Sequence, residues 1–200
     1  MIHGSELKSE NGPNPEVMTA RIVKEVKVMT EILNELMMIS KIEKGDIEFH
    51  AGDTDLHSFV NEISLDLYSP YTDGRSLQIE IDKSIANVYI DRKLMRHALV
   101  NIITNAFKYS AGKQSPILRI KKSKESIIFE IEDHGIGIED QKKLFTSFFR
   151  ASNVGAIQGT GLGLMVLEYA VKKHKGEINI KSELDKGSIV SIKIPTIKTN

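Results

Sequence analysis

The sequence predicts an α+β domain, a two-layer sandwich of helices on a mixed sheet, preceded by a separate helix with a heptad pattern. Two pairs of alternating apolar and polar segments are joined by short turns, as in β-hairpins: 117–122 with 126–132, and 177–182 with 188–194. Between and before these pairs lie segments with helical spacing of apolar residues. Ahead of them all, residues 16–42 contain neither Gly nor Pro.

The first element is a long helix that begins after a polar segment, 1–15, in which residues 11–15 are nearly all turn and breaker residues. Apolar residues recur along it at alternating steps of four and three: Ile22, Val26, Met29, Leu33 and Leu36. Such a helix either packs against its own domain or forms a seam with other helices. We favour the seam, because the stripe covers nearly three heptads outside the α/β pattern.

The remaining elements follow from local signals. Gly45 is a C-cap candidate for the first helix, and Asp53, Thr54 or Asp55 could cap the next one. Asp91 opens a long helix that runs to Lys108. The other predicted segments are an extended stretch at 47–49, a helix at 56–67, strands at 77–81 and 88–90, and a helix at 162–174.

Composition excludes several classes of protein. The 27 Lys and Arg residues balance the 27 Asp and Glu residues, so the net charge is zero. The sequence therefore lacks the excess of basic residues that binds the phosphate backbone of nucleic acids. The absence of Cys excludes disulfides, a Cys-based zinc site and a cysteine nucleophile. No apolar run reaches the roughly 18 residues of a membrane span, and no secretory signal is present. We therefore expect a cytoplasmic chain without membrane contact.

The long helix carries a possible polyphosphate site. Asn101 and Asn105 are four residues apart and share one face, and Lys108 follows on that face. Amide oxygens suit Mg²⁺, and the Lys ammonium neutralises phosphate charge. By itself this spacing is weak evidence for a polyphosphate site, because Asn and Lys residues on one side of a helix usually form a solvated face.

The first Gly-rich loop follows an alternating strand, with Asp133 at the strand's end. Its carboxylate can accept a hydrogen bond from an exocyclic amine such as that of adenine. Gly135 and Gly137 would permit close approach of a flat ring. The alternative is an ordinary turn after a strand. His134 has no second His at ligand spacing, so we interpret it as a loop residue.

The second Gly-rich segment, with Gly159, Gly161 and Gly163, opens the last helix. Free amides at a helix N-terminus bind anions, and glycines let the ligand approach. The segment matches neither the Walker A loop nor the dinucleotide fingerprint. Residues 150–158, between the two Gly-rich segments, have little apolar periodicity, which suggests a mobile lid over a ligand.

Taken together, these segments resemble the ATP-binding catalytic domain of bacterial sensor histidine kinases, within the superfamily that includes gyrase-type, Hsp90-type and MutL-type ATPases. The resemblance covers roughly residues 50–196. Four motifs occur in the family's order: 101–110 resembles the N box, 133–138 the G1 box, 143–150 the F box and 159–164 the G2 box. His134 stands where the family usually has Asn, which leaves the D-x-G-x-G pattern intact.

This resemblance implies a Bergerat-type fold with ATP and Mg²⁺ as cofactors. Asn105 would hold Mg²⁺ and Asn101 would support it, while Asp133 would contact the adenine amine. The remaining residues implied in ATP binding are Lys108, Tyr109, Gly135, Gly137, Arg150, Gly159, Thr160, Gly161, Leu162 and Gly163.

The resemblance also implies how the chain is organised. Residues 16–45 are similar to the second helix of a dimerisation domain, and 46–200 to the catalytic domain; 1–15 would be a remnant of the first helix or a tag. No phosphoacceptor box is present, and His3 lacks its context. We expect part of a histidine kinase that phosphorylates a His for two-component signalling, forms a homodimer through 16–42 and has a response regulator as partner. The alternatives are another ATPase or anti-sigma-like kinase of the superfamily, and a non-catalytic docking module.

Overall fold

The structure, a computed structural model, describes residues 15–68, 73–146, 152–154, 157 and 159–196. The predicted segment 1–15 therefore lies almost wholly outside the described residues. The elements in chain order are α1 (Pro15–Lys44), β1 (Gly52–Asp55), α2 (Leu56–Tyr68), β2 (Gln78–Ile81), β3 (Asn87–Ile90), α3 (Arg92–Tyr109), β4 (Ile117–Ser123), β5 (Ser126–Asp133), α4 (Gly163–Lys173), β6 (Glu177–Glu183) and β7 (Gly187–Pro195). Single 3₁₀ turns occur at Gln141–Lys143 and Ser152–Val154.

The main sheet is mixed and has five strands in the order β2-β4-β5-β7-β6. β2 pairs with β4 in parallel, and the other neighbours are antiparallel. The two predicted hairpins are its central and edge strands, β4 with β5 and β6 with β7. The predicted α+β sandwich with a preceding helix is thus confirmed.

One strand was missed. β1 pairs with β3 as a separate two-stranded ribbon. The sequence indicates Asp53, Thr54 and Asp55 only as candidate helix caps, and the predicted extended stretch at 47–49 is not part of a strand. Asp55 does both tasks, since it ends β1 and its Oδ1 accepts a hydrogen bond of 2.6 Å from the amide of Ser58 in α2. A four-residue strand with one buried side chain, Thr54, has too little alternation to be recognised from the sequence.

The core lies between the sheet and α2, α3 and α4. Side chains that alternate along β4 and β5 point inward, among them Leu118 and Phe129, both fully buried. The buried stripe of α3 faces them with Met95, Leu99 and Ile103. With this stripe in the core, the opposite face of α3 is left for polar residues.

Asp91 fixes the start of α3. Its Oδ1 accepts the amide of Leu94 at 3.0 Å, as the predicted N-cap should. Its Oδ2 accepts the amide of His50 at 2.8 Å, and its own amide donates to Nε2 of His174 at 2.9 Å. One buried residue therefore joins the start of α3 to the chain after α1 and to the end of α4.

α1 ends as predicted at Gly45, whose φ of 72° is left-handed. The amide of Gly45 donates to Ile42 and that of Asp46 to Lys41, the two bonds of a Schellman motif. Before this end, Ile39 packs against Leu162 and Val166 at the start of α4. The predicted heptad stripe remains exposed, with its members between 40% and 62% accessible: Ile22, Val26, Met29, Leu33 and Leu36.

His174 links the fold to pH. Its Nδ1 donates to the carbonyl of Ala170 at 2.7 Å and its Nε2 accepts from Asp91, so the ring is neutral in the folded protein. Burial lowers the pKa of His174 below its ordinary value. His174 therefore binds a proton more readily in the unfolded chain than in the folded protein. Its contribution to the free energy of unfolding is fully present above its unfolded-state pKa and is lost as pH falls through its folded-state pKa.

We predict that His174→Phe, which keeps an apolar ring beside Phe49, lowers the free energy of unfolding by about 1–3 kcal/mol at pH 8 because the Asp91 amide loses its acceptor. The wild type should lose more stability than this variant between pH 8 and pH 5.5. Urea unfolding at both pH values measures this difference. His57→Phe, at an exposed position, is the control. Parallel pH profiles for wild type and H174F would contradict the assignment.

Candidate functional site

A cavity of about 360 Å³ lies where α3, the end of β5, the start of α4 and one face of α1 meet. Most residues that the sequence singled out line it: Asn101, Asn105, Lys108, Tyr109, Asp133, Gly137, Gly159, Thr160, Gly161 and Gly163. Gly135 and Leu162 are buried and do not line the cavity. Arg150 lies outside the described residues, as does most of the predicted lid at 150–158.

α3 supplies the polar wall. Asn101 and Asn105 lie one turn apart and are half-buried, and Nδ2 of Asn101 approaches the carbonyl of Gly163 at 3.4 Å. This contact joins α3 to the first residue of α4. Nζ of Lys108 lies over the ring of Tyr109, 5.4 Å from its centroid. The amides and the ammonium thus share one wall, as their spacing predicted.

Asp133 ends β5 at the cavity. Its Oδ1 accepts the amide of Gly135 at 2.8 Å. Burial raises the pKa of the Asp133 carboxyl, and the hydrogen bond from Gly135 opposes this rise. A carboxylate in surroundings this poor in water forms stronger hydrogen bonds than an exposed one.

The glycines of the first loop serve packing. A Cβ on Gly135 would lie 2.3 Å from the carbonyl oxygen of Tyr109, and one on Gly137 would lie 2.2 Å from that of Glu183. Gly137 also has a φ of 69°. We expected these glycines to admit a flat ring; for Gly135 the structure instead shows a close approach to the end of α3.

The second Gly-rich segment brings backbone and cation together. A Cβ on Gly159 would lie 2.8 Å from Nζ of Lys108. The Thr160 hydroxyl accepts the amide of Leu162 at 3.2 Å, which shapes the entry to α4. Leu162 is buried against Ile39 of α1, so its role is to anchor the segment.

Sequence reasoning missed one wall of the cavity. Val28, Ile32 and Glu35 of α1 line it, and they are each one residue before a member of the heptad stripe. They lie about 100° around the helix from that stripe. Their own four-then-three spacing was a signal, but the sequence did not show what they would face.

A second residue was also missed. Asn153 lies in the short turn Ser152–Val154, and its Nδ2 donates to the carbonyl of Gly137 at 3.0 Å. It lines the cavity. The contact joins the segment between the F-box-like and G2-box-like motifs to the first Gly-rich loop. A lone Asn in a polar segment has no sequence signature for this.

Comparison with known proteins decides the family. A family profile described as histidine kinase-, DNA gyrase B- and HSP90-like ATPase matches residues 90–198, more than half of the chain. The chain belongs to this family. The match covers all of the cavity walls except the one formed by α1.

Individual relatives of this ATPase-family chain are sensor kinases. The autoinducer 2 sensor kinase/phosphatase LuxQ of Vibrio vulnificus (strain CMCP6) is 30% identical over 179 residues, which are 84% of this chain and 21% of LuxQ. The structure of Acinetobacter baumannii histidine kinase AdeS has a TM-score of 0.74 and 26% identity, and covers 92% of this chain and 86% of that one. Full-length ShkA in complex with AMPPNP has a TM-score of 0.75 at 18% identity, covering 94% and 40%, and shares the fold.

The ATPase-family chain thus spans about a fifth of the length of LuxQ. Among its described residues, no helix has the length and apolar character that a membrane span requires. The same residues contain no cluster of three or more His, Asp or Glu side chains that could hold a metal ion.

We predict that Gly137→Ala destabilises the domain by about 2–4 kcal/mol, because it combines a left-handed backbone with a clash against Glu183. Chemical denaturation measures the loss. Gly112→Ala is the matched control, since Gly112 has a φ of 73° and nothing within 4 Å of its Cβ position. The control should lose only about 1–2 kcal/mol. Equal losses in both variants would show that the packing of the loop against Glu183 contributes nothing.

Proposed function

We propose that this chain is the ATP-binding catalytic part of a sensor histidine kinase, which transfers the γ-phosphoryl group of ATP to a His of a dimerisation domain. The observation that carries this proposal is the meeting of the α3 amides, Lys108, Asp133 and the glycines before α4 in one cavity, in a chain of this ATPase family. The named relatives, sensor kinases, support the kinase rather than another ATPase of the family.

Asp133 would recognise the nucleobase. Its Oδ1 accepts the amide of Gly135, and a carboxylate has further lone pairs that can accept from an exocyclic amine. The walls around it are apolar, with Ile131, Ile136 and Ile138 lining the same cavity. A flat purine would gain burial against these side chains and one charged hydrogen bond from Asp133. We take this end of the cavity as the base subsite.

The phosphates would lie at the opposite end, near Lys108 and the segment 159–163. Lys108 would neutralise charge there, and the start of α4 would add the favourable electrostatics of a helix N-terminus. Tyr109 carries the Lys108 ammonium over its ring and would support its position. Gly161 and Gly163 leave the backbone free of side chains in this wall.

The donor set fits Mg²⁺ held together with nucleotide. With no acidic cluster among the described residues, the protein ligands available on α3 are amide oxygens, so the phosphates must supply most of the coordination. Asn105 would be the ligand, with Asn101 one turn earlier held by its contact to Gly163. When bound, Mg²⁺ would neutralise phosphate charge that develops during transfer. The chain's own residues position the nucleotide.

The phosphoacceptor is expected elsewhere. None of the described histidines, His50, His57, His97, His134 and His174, lines the cavity. In the transfer, the acceptor imidazole nitrogen would form the new bond to phosphorus as the bond to the β-phosphate oxygen breaks, leaving ADP. A response regulator as the next acceptor and a cytoplasmic location are parts of the same proposal, for which the sensor kinases among the relatives are the support.

The exposed stripe of α1 would form the dimer. Five apolar side chains at heptad spacing are accessible to solvent, and burying them against a second copy removes that area from water. A homodimer through 16–42, or a bundle completed by a further helix, follows from this surface.

We predict that Asp133→Asn weakens ATP binding at least about tenfold, since the Asn oxygen would stay with Gly135 and its amino group would face the adenine amine, donor against donor. Isothermal titration with Mg-ATP measures the change. Asp185→Asn, in the exposed turn before β7, is the control. Unchanged affinity in D133N would overturn the base assignment.

We predict that the chain self-associates and that Leu33→Glu, in the middle of the stripe, shifts it toward monomer. The charge would be buried in the seam without a partner. Light scattering over a concentration series measures the mass. Leu65→Glu, at the most exposed large apolar residue of α2, is the matched control. A monomeric wild type at high concentration would contradict the interface.

A further inference from the structure

α1 places a carboxylate at the phosphate end of the cavity. Glu35 is half-buried and lines the cavity, and it accepts a hydrogen bond from the hydroxyl of Thr160. Thr160 belongs to the segment that leads into α4, beside Gly159 and the ammonium of Lys108. A negative side chain thus reaches the wall on which the nucleotide phosphates are proposed to lie.

Packing holds Glu35 in this position. One helical turn further along α1, Ile39 is buried against Leu162 and Val166 of α4, with Met38 and Ile42 beside it. One turn earlier, Ile32 lines the cavity together with Val28. Apolar side chains therefore flank Glu35 along α1, and those that follow it hold the helix on α4. The carboxylate enters the cavity only while α1 is docked there.

We propose that Glu35 is a specificity-determining residue of the nucleotide site, which disfavours phosphate-rich nucleotides while α1 is docked. The inference rests on the proposed function. Like charges near a protein surface repel over several ångströms, and each added phosphate increases that repulsion. Glu35 also occupies the Thr160 hydroxyl, which a phosphate oxygen could otherwise contact. Adenosine carries no phosphate and is indifferent to Glu35.

The same coupling acts in reverse. A ligand that binds less well when α1 is docked must weaken that docking by the same factor. ATP therefore loosens the contact between α1 and the start of α4 more than ADP does, and adenosine leaves it unchanged. The identity of the bound nucleotide is in this way communicated to the helix that carries the exposed stripe.

The experiment compares Glu35→Gln with the wild type by titration with Mg-ATP, Mg-ADP and adenosine. Gln keeps the shape and can still accept from Thr160, so only the charge is lost. E35Q should bind ATP about three- to tenfold more tightly, ADP less so, and adenosine equally. The gain for ATP should shrink between about 50 mM and about 500 mM salt, because screening weakens the repulsion.

The matched control is Glu25→Gln, the same charge change at an exposed position of α1, which should leave all three affinities unchanged. Equal or weaker ATP binding by E35Q would overturn the inference. An equal gain for adenosine would overturn it too, since the effect would then not act through phosphate. If neither wild type nor E35Q binds ATP, the proposed function itself fails; if both bind it equally well, only the role of Glu35 does.

Discussion

The hydrogen bonds of Asp91 determine where the functional helix begins. The residue caps α3 through Leu94, receives the amide of His50 and donates its own amide to His174. A helix whose N-cap is bonded to two other segments of the chain cannot slide along the sheet. α3 carries Asn101, Asn105 and Lys108 along its length. Because Asp91 fixes where this helix begins, it also fixes where these three side chains lie along the cavity.

The site then depends on how loops reach that wall. The first Gly-rich loop has no room for a side chain at two positions. Gly135 lies against the backbone of Tyr109 at the end of α3, and Gly137 lies against the backbone of Glu183 at the end of β6. Asp133 is held at the cavity by the same turn, through the amide of Gly135. Gly135 therefore does two things: it allows the loop to pack against α3, and its amide orients the Asp133 carboxylate.

α1 has two apolar faces in different surroundings. The heptad stripe is exposed, whereas the stripe about 100° away lines the cavity and packs on α4. A heptad pattern is compatible both with packing on the chain's own domain and with a seam between helices. The helix does pack on its own domain, and its exposed stripe remains available for the seam. A helix of thirty residues is long enough to present both surfaces.

Local signals in the sequence are enough to locate the main elements and most of the residues that line the cavity. In the described part of the chain, periodicity locates the α-helices and the two hairpins to within two or three residues, and Asp91 and Gly45 are recognisable as caps because capping depends on local geometry. Residue type and spacing along single elements single out Asn101, Asn105, Lys108 and Asp133, and the structure brings these four residues to one cavity. Three other features depend on how the elements pack: the ribbon of β1 and β3, the contact of Asn153 with Gly137, and the approach of Glu35 to Thr160 across 125 positions of sequence. These contacts join residues from separate segments of the chain. No local sequence signal identifies the partner of either residue, because the contact forms only when the elements pack together.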